Sequence, residues 1–445
     1  MLTQALFVDP VVARYLDERA TLQGMLDFEA ALARAEAAAG VIPASAVEPI
    51  VAATRSGAFE VDEIARAAAE AGNVAIPLVR ALTARVAAGD AEAARYVHWG
   101  ATSQDAIDTG LVLQLRAALT HVGRVLDDLD AALAALAEEH IGTVMVARTW
   151  LMHAAPTTFG RKVAGWLTAN RRTKFSLRRA MQEASVLQFG GAAGTLAALG
   201  DQGLVVAELL ARDLDLALPA LPWHAERDRL VALAAACGNV VGILGKIARD
   251  VSLLGQSEIA EASEPAAPGR GGSTTMPQKR NPVACAVALA AAVRAPGLVA
   301  TMFAAMPQEH ERGLGGWHAE WETLPELVRV VSGSARAMAQ ALGGLEVDPG
   351  RMRADLDVTQ GFAMAESYKI ALAGSLGLQR AHTAVESAVR RATERGCSLR
   401  AALEDDPTVR EHLSGDDLDR AGDPLGYLGV AAEFVRRGLA GEAEA

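Results

Sequence analysis

Residues 115–136 read LRAALTHVGRVLDDLDAALAAL, and their apolar positions decide the fold class. Leu115, Leu119, Val122, Leu126, Leu129, Leu133 and Leu136 recur at alternating spacings of four and three. A seam repeating every ~3.5 residues makes helices pack lengthwise at shallow angles. A second run, Leu233, Cys237, Val240, Leu244, Ile247, Val251 and Leu254, repeats the pattern. Each seam spans roughly 30 Å at the helical rise, so an elongated bundle is predicted. Alternation of the strand type is scarce, and the fold class is read as all-α. The chain divides into three segments. Residues 1–108 form a helical N-terminal domain, 109–350 the long-helix bundle and 351–445 a small helical C-terminal domain, with residues 441–445 as a frayed end.

The surrounding composition narrows the function. The 445 residues carry 42 Lys and Arg against 54 Asp and Glu, a formal net charge of −12. With 51% hydrophobic and 22% charged residues, disorder is excluded as the main state. An acidic chain lacks the basic footprint that nucleic acid or an anionic membrane requires. An anionic substrate must therefore be met by a locally positive pocket. Cys237, Cys285 and Cys397 are far apart and odd in number, giving neither a disulfide framework nor a Cys-x-x-Cys metal site. The most apolar helical candidate, Val283 to Met306, is interrupted by Arg294 and Pro296 and contains Gly297, too broken and too Ala-rich for a membrane span. No secretory leader is evident, and a cytoplasmic protein is expected.

Three stretches can carry chemistry. Residues 264–282 read EPAAPGRGGSTTMPQKRNP, too rich in Gly and Pro for helix or strand. Asn281-Pro282 reads as the N-cap and first position of the next helix. Loop N–H groups, that helix start, Lys279 and Arg280 together suit a carboxylate or phosphate. Only five lysines occur, so one inside a motif is notable. Residues 97–109 read VHWGATSQDAIDT, in which Thr102 and Asp105 form a plausible capping box. Residues 148–160 read RTWLMHAAPTTFG.

The first of these, Gly272 to Pro282, resembles the signature of the fumarase/aspartase/adenylosuccinate lyase superfamily. The resemblance implies that Ser273 is the acid/base at carbon, and that Lys279 and Asn281 hold the substrate carboxylate as it gains charge. The second resembles the superfamily's first conserved region, implying substrate contacts from His98, Thr102 and Ser103. The third resembles the second region, with Arg148 and Thr149 holding carboxylates, and it departs from the pattern. Trp150 stands where most members have a His. That His usually pairs with a Glu seven residues past the signature lysine, and here the position is Ala286. Trp150 is expected to fill the vacated space and dry the site, with His153 a polar neighbour able to stand in. Arg312, in a stretch reading PQEHER, is a further carboxylate-binding candidate. Trp317 and Trp321 stand where adenylosuccinate lyases carry a Ser and an Arg that clamp a phosphate. The resemblance also implies a homotetramer with active sites shared between subunits, and no metal or organic cofactor.

The paired replacement has chemical content. The superfamily removes a proton beside a carboxylate, forms an aci-carboxylate and expels a group from the next carbon. An amine or hydroxide needs protonation as it leaves, which the His–Glu pair supplies. A carboxylate does not, since its conjugate acid has a pKa of about 4. In reverse, a substrate carboxylate adds to its own double bond and closes a lactone. This fits the cycloisomerase branch of the superfamily, acting on an anionic tricarboxylate of the carboxymuconate type. The rivals are an adenylosuccinate lyase, a lyase releasing nitrite from a nitro-acid, and a non-catalytic structural homologue.

Overall fold

The computed structural model describes residues 3–267 and 269–441. Pro268, counted among the loop's breakers, and most of the expected frayed end lie outside the described residues. Long helices dominate, in the order Glu18–Ala38, Ser103–Glu139, Phe159–Ala184, Asp228–Leu254, Val283–Ala305 and Gly316–Leu342. Both heptad-like seams are buried: every named position from Leu115 to Leu136, and from Leu233 to Leu254, is less than a tenth exposed. The Ser103–Glu139 helix has 37 residues, about 55 Å at the helical rise.

Contacts group the chain into two compact units. One comprises Met1–Leu126, Thr173–Gly245 and Val287–Ala337; the other comprises Asp127–Arg172, Lys246–Ala286 and Met338–Ala445. In the second unit the C-terminal helices, among them Ala365–Leu376 and Leu378–Arg395, enclose a core of their own. Tyr368, Leu372, Val385, Leu399, Leu403 and Leu418 pack there.

Two features differ from the sequence reading. Val144–Thr149 and Met152–Thr158 form an antiparallel hairpin, with Arg148 opposite His153 and Thr149 opposite Met152. Its two-residue loop, Trp150 and Leu151, has positive φ at both positions (53° and 66°). That is the geometry whose twist suits a hairpin, although Asn and Gly usually supply it. The signal was confined to Val144, Val146 and Thr149 in the first run and Thr157 and Thr158 in the second, and it was masked by the absence of those turn residues. Second, Val283–Ala305 is one continuous helix through Pro296. A proline removes one backbone bond and crowds the previous turn, and here that cost does not end the helix. By length and composition this helix and Asp228–Leu254 could each cross a membrane; Asp228–Leu254 is mostly buried within the protein, whereas only a third of the most apolar stretch of Val283–Ala305 is. Arg294, within the latter, pairs with Glu326.

Since Leu133 is fully buried on its seam, Leu133→Ala is expected to destabilise the protein by about 2–5 kcal/mol. A lowered midpoint in denaturant titration checks this.

Candidate active site

In the first unit the site is built on the start of the Ser103–Glu139 helix. Asp105, wholly buried, accepts hydrogen bonds from five donors. Oδ1 receives the Gln188 side-chain amide (3.1 Å), the Gly190 N–H (3.0 Å) and His224 Nε2 (2.9 Å). Oδ2 receives the N–H groups of Gly191 (2.9 Å) and Thr102 (3.0 Å). The expected capping box is thus half made. Asp105 takes the Thr102 N–H, while the Thr102 and Ser103 hydroxyls have no hydrogen-bond partner among the described residues. Gly191 is required for this approach: its φ is +68°, and a Cβ would lie 2.9 Å from the Gly100 carbonyl oxygen.

One turn on, Asp108 meets the buried Arg227 guanidinium at 2.6 Å, and Arg227 meets Glu320 at 2.6 Å. Trp317 Nε1 donates to Asp108 at 3.0 Å. Trp317 is thereby a buried structural donor, and Trp321 packs edge-on against it at 4.8 Å. Neither indole supplies a positive charge for a phosphate. Arg312 is exposed, and its Nε donates to Gln104 at 3.0 Å and its Nη2 to the Ala192 carbonyl at 3.2 Å. Both acceptors are neutral, so no carboxylate pairs with Arg312 among the described residues.

His98, in a left-handed backbone conformation (φ 59°), contacts buried Glu29 through Nδ1 at 2.6 Å. Burial alone would lower the His98 pKa, but the Glu29 charge and hydrogen bond, with Asp105 beyond, hold it above the ordinary imidazole value. Further along the same helix Glu36 is fully buried with both oxygens unpartnered. Burial, reinforced by the Glu29 charge, pushes its carboxyl up to about 9.

The second unit holds the glycine-rich loop and the hairpin. Gly271 (φ +67°) lies so close to Asn281 that a Cβ would sit 2.6 Å from its carbonyl oxygen. The Asn281 backbone and side-chain N–H groups both donate to the Gly271 carbonyl, at 2.9 and 3.0 Å. The loop is thereby closed at its base. Within it, Ser273 Oγ accepts from the N–H groups of Met276 (3.0 Å) and Thr275 (3.3 Å).

The expectation that the following helix start is open to an anion is corrected. The helix begins at Val283, and Glu264 caps it from a distance, accepting from Ala284 N at 3.1 Å and Cys285 N at 2.8 Å. Arg280 is spent on Glu346, making two bonds of 2.9 Å. Lys279 is exposed and has no ion-pair or hydrogen-bond partner for its ammonium among the described residues. Lys279 and Asn281 line a cavity of ≈ 300 Å³, bordered also by Glu264 and Arg270.

On the hairpin, Arg148 is corrected as a free carboxylate ligand. Its fork is taken by buried Glu261 at 2.8 and 2.9 Å, with Asp355 at 3.6 Å. Thr149 is exposed beside it. Burial and then the Arg148 charge hold His153 below the usual imidazole range, and its buried Nδ1 has no partner. Trp150 is 98% exposed at the hairpin tip, so within its own chain it fills no space. Among the described residues no group of three or more His, Cys, Asp or Glu could hold a metal ion.

Sequence reasoning missed Gln104, Asp108 and Glu29, and read Asp105 as a helix cap only. The signal for Gln104, Asp105 and Asp108 was polar residues at positions 104, 105, 108 and 109, on the face that turns apolar further along the same helix.

The chain matches the lyase family across residues 8–297, and the adenylosuccinate lyase C-terminus across residues 361–438. It belongs to the fumarase/aspartase/adenylosuccinate lyase superfamily. Among superfamily relatives, it is 57% identical to 3-carboxy-cis,cis-muconate cycloisomerase of Pseudomonas aeruginosa, over 99% of this chain and 96% of that one. It is 41% identical to a nitrosuccinate lyase of Streptomyces davaonensis, over 97% and 92%. The crystal structure of 3-carboxy-cis,cis-muconate lactonizing enzyme from Pseudomonas putida superposes with TM-score 0.94 at 52% identity, covering 99% and 98%.

Glu36 provides a pH test. Unfolded, it releases its proton above about pH 4.3; folded, it keeps it until about 9. The unfolded state binds fewer protons in that window, so stability falls as pH rises through it. In Glu36→Gln this loss is absent, and the melting temperature should decline less between pH 5 and pH 9 than in the parent.

Proposed function

We propose that this chain converts 3-carboxy-cis,cis-muconate to a carboxymuconolactone, a step in protocatechuate breakdown. One observation carries the reading: the carbon-acid loop is intact, while Trp150 and Ala286 occupy both positions of the superfamily's His–Glu proton donor. The full-length similarity to the P. aeruginosa cycloisomerase supports it.

In the lactonising direction, a carboxylate oxygen of the substrate attacks its own alkene. The alkene electrons move onto the carbon beside another carboxylate, giving an aci-carboxylate, and Ser273 delivers a proton to that carbon. No group departs, so no second acid is needed. Because nucleophile and alkene share one molecule, proximity is supplied by the substrate itself. Two N–H dipoles aimed at Ser273 Oγ stabilise its alkoxide and make the hydroxyl a better acid. Lys279 and Asn281 stabilise the charge on the aci-carboxylate. Thr102, Ser103, Thr149 and Arg312 hold the remaining carboxylates, with His98, biased toward its charged form by Glu29, and His153, biased by burial toward its neutral form, as polar neighbours. Arg148 acts by fixing the hairpin through Glu261.

The protein works in the cytoplasm as a homotetramer, each active site drawing residues from more than one subunit, and the three-segment division at residues 108 and 350 is part of this reading. Two apolar features support it: the Val283–Ala305 helix, only a third buried along its most apolar stretch, and the exposed tip formed by Trp150, Leu151 and Met152. There Trp150 would dry a neighbour's site. Light scattering should give four times the 46.3 kDa chain mass.

The His98–Glu29 couple favours a second reading, a lyase that protonates its leaving group. Offering carboxymuconate, adenylosuccinate and nitrosuccinate separately decides between them. Loss of the conjugated-diene absorbance with the first supports the proposal, and turnover of only the others overturns it. Ser273→Ala should lower kcat by roughly 10²–10⁴-fold with assembly intact; near-parental turnover would remove Ser273 from its role.

A further inference from the structure

Arg312 is the visible end of a buried polar chain that reaches it through Gln104. Gln104 is wholly buried. Its Nε2 donates to Asp108 Oδ2 at 3.0 Å and to the His224 carbonyl at 2.8 Å. Both partners there are acceptors, so the amide nitrogen must face them and Oε1 must face Arg312 Nε, at 3.0 Å.

Asp108 is itself immobilised. Arg227 donates to both its oxygens, at 2.6 and 3.1 Å, and Trp317 adds a third bond at 3.0 Å. Arg227 is clamped on its other side by Glu320, which also accepts from Gln308 at 2.9 Å. The side chains of Asp108, Arg227 and Glu320 are at most 1% exposed. Breaking such a pairing leaves a buried charge uncompensated, which makes the cluster stiff.

The residue type matters as much as the position. A carboxylate at position 104 would neutralise Arg312 and face Asp108 across a like charge. A hydrocarbon would leave the fork free to rotate. An amide fixes the direction and leaves the cation available.

We infer that Gln104 is the positioning residue of Arg312, transmitting the rigidity of the Asp108–Arg227–Glu320 cluster to a guanidinium that stays free for a substrate carboxylate. This rests on the reading that Arg312 binds the tricarboxylate. No contact of Gln104 with substrate is required, so its effect should exist only while Arg312 is present.

A double-mutant cycle tests this on the full-length protein with carboxymuconate as probe. Gln104→Met removes the polar atoms at similar volume and should raise KM about tenfold with kcat within about twofold; the melting temperature should fall because Asp108 and the His224 carbonyl each lose a buried donor. Arg312→Ala should raise KM at least as much, and the double variant should match Arg312→Ala alone. Independent, multiplying effects, or a Gln104→Met enzyme with parental KM, overturn the inference. If Gln104→Met does not fold, Gln104→Asn retracts the same atoms by one methylene and carries the same expectation. A parent protein inactive toward carboxymuconate overturns the functional reading, and this assignment with it; an active parent with additive variants overturns this assignment only.

Discussion

The burial of one carboxylate organises the candidate site of the first unit. Asp105 carries its charge where water does not reach, and an unpaired buried ion costs several kcal/mol. The charge is tolerable only because Thr102, Gln188, Gly190, Gly191 and His224 all turn donors toward it. Two stretches far from it in sequence, around Gln188–Gly191 and at His224, are therefore obliged to converge on one helix start. That convergence places the Thr102 and Ser103 hydroxyls at the helix N-terminus, where N–H groups and the helix dipole favour an anion. The next turn repeats the device with Asp108, Arg227 and Glu320.

The second unit solves a different problem, a loop that is shaped but not filled. Gly271 and Asn281 close its base, Glu264 takes the orphan N–H groups of the following helix, and Arg280 is tied to Glu346. These contacts occupy the loop's arginines and leave the Lys279 ammonium without a partner among the described residues. Ser273 receives backbone dipoles instead of a basic side chain. Arginine suits such structural pairing because its planar fork matches a carboxylate, whereas lysine is a compact point charge. Arg148 on Glu261 follows the same rule.

This distribution fits a reaction in which charge develops and no group needs a proton to leave. The two imidazoles outside the buried network are tuned oppositely: His98 by a carboxylate toward the charged form, His153 by burial toward the neutral one. The exposed hairpin tip carries a different kind of cost. Trp150 and Leu151 hold positive φ without being glycine, and such strain persists where surrounding structure over-determines it, often at functional sites.

Periodicity was sufficient for the helices. Heptad spacing names a buried face because a helix repeats every ~3.6 residues, and all the seam positions lie inside. The signature loop was legible for a related reason: so many Gly and Pro residues leave few backbone alternatives. Trp150 and Ala286, on which the proposed absence of a His–Glu donor rests, likewise need no coordinates to be seen. What the sequence could not display was pairing between distant polar groups. Nothing local distinguishes Arg148 and Arg280, committed to buried Glu261 and exposed Glu346, from Lys279 and Arg312, which pair with no carboxylate among the described residues. Nor could it show that Glu264 rather than Asn281 satisfies the helix after the loop, or that Gln104 faces Arg312 with its oxygen. Those outcomes depend on which donors and acceptors three-dimensional packing brings within about 3 Å, a distance unrelated to separation along the chain.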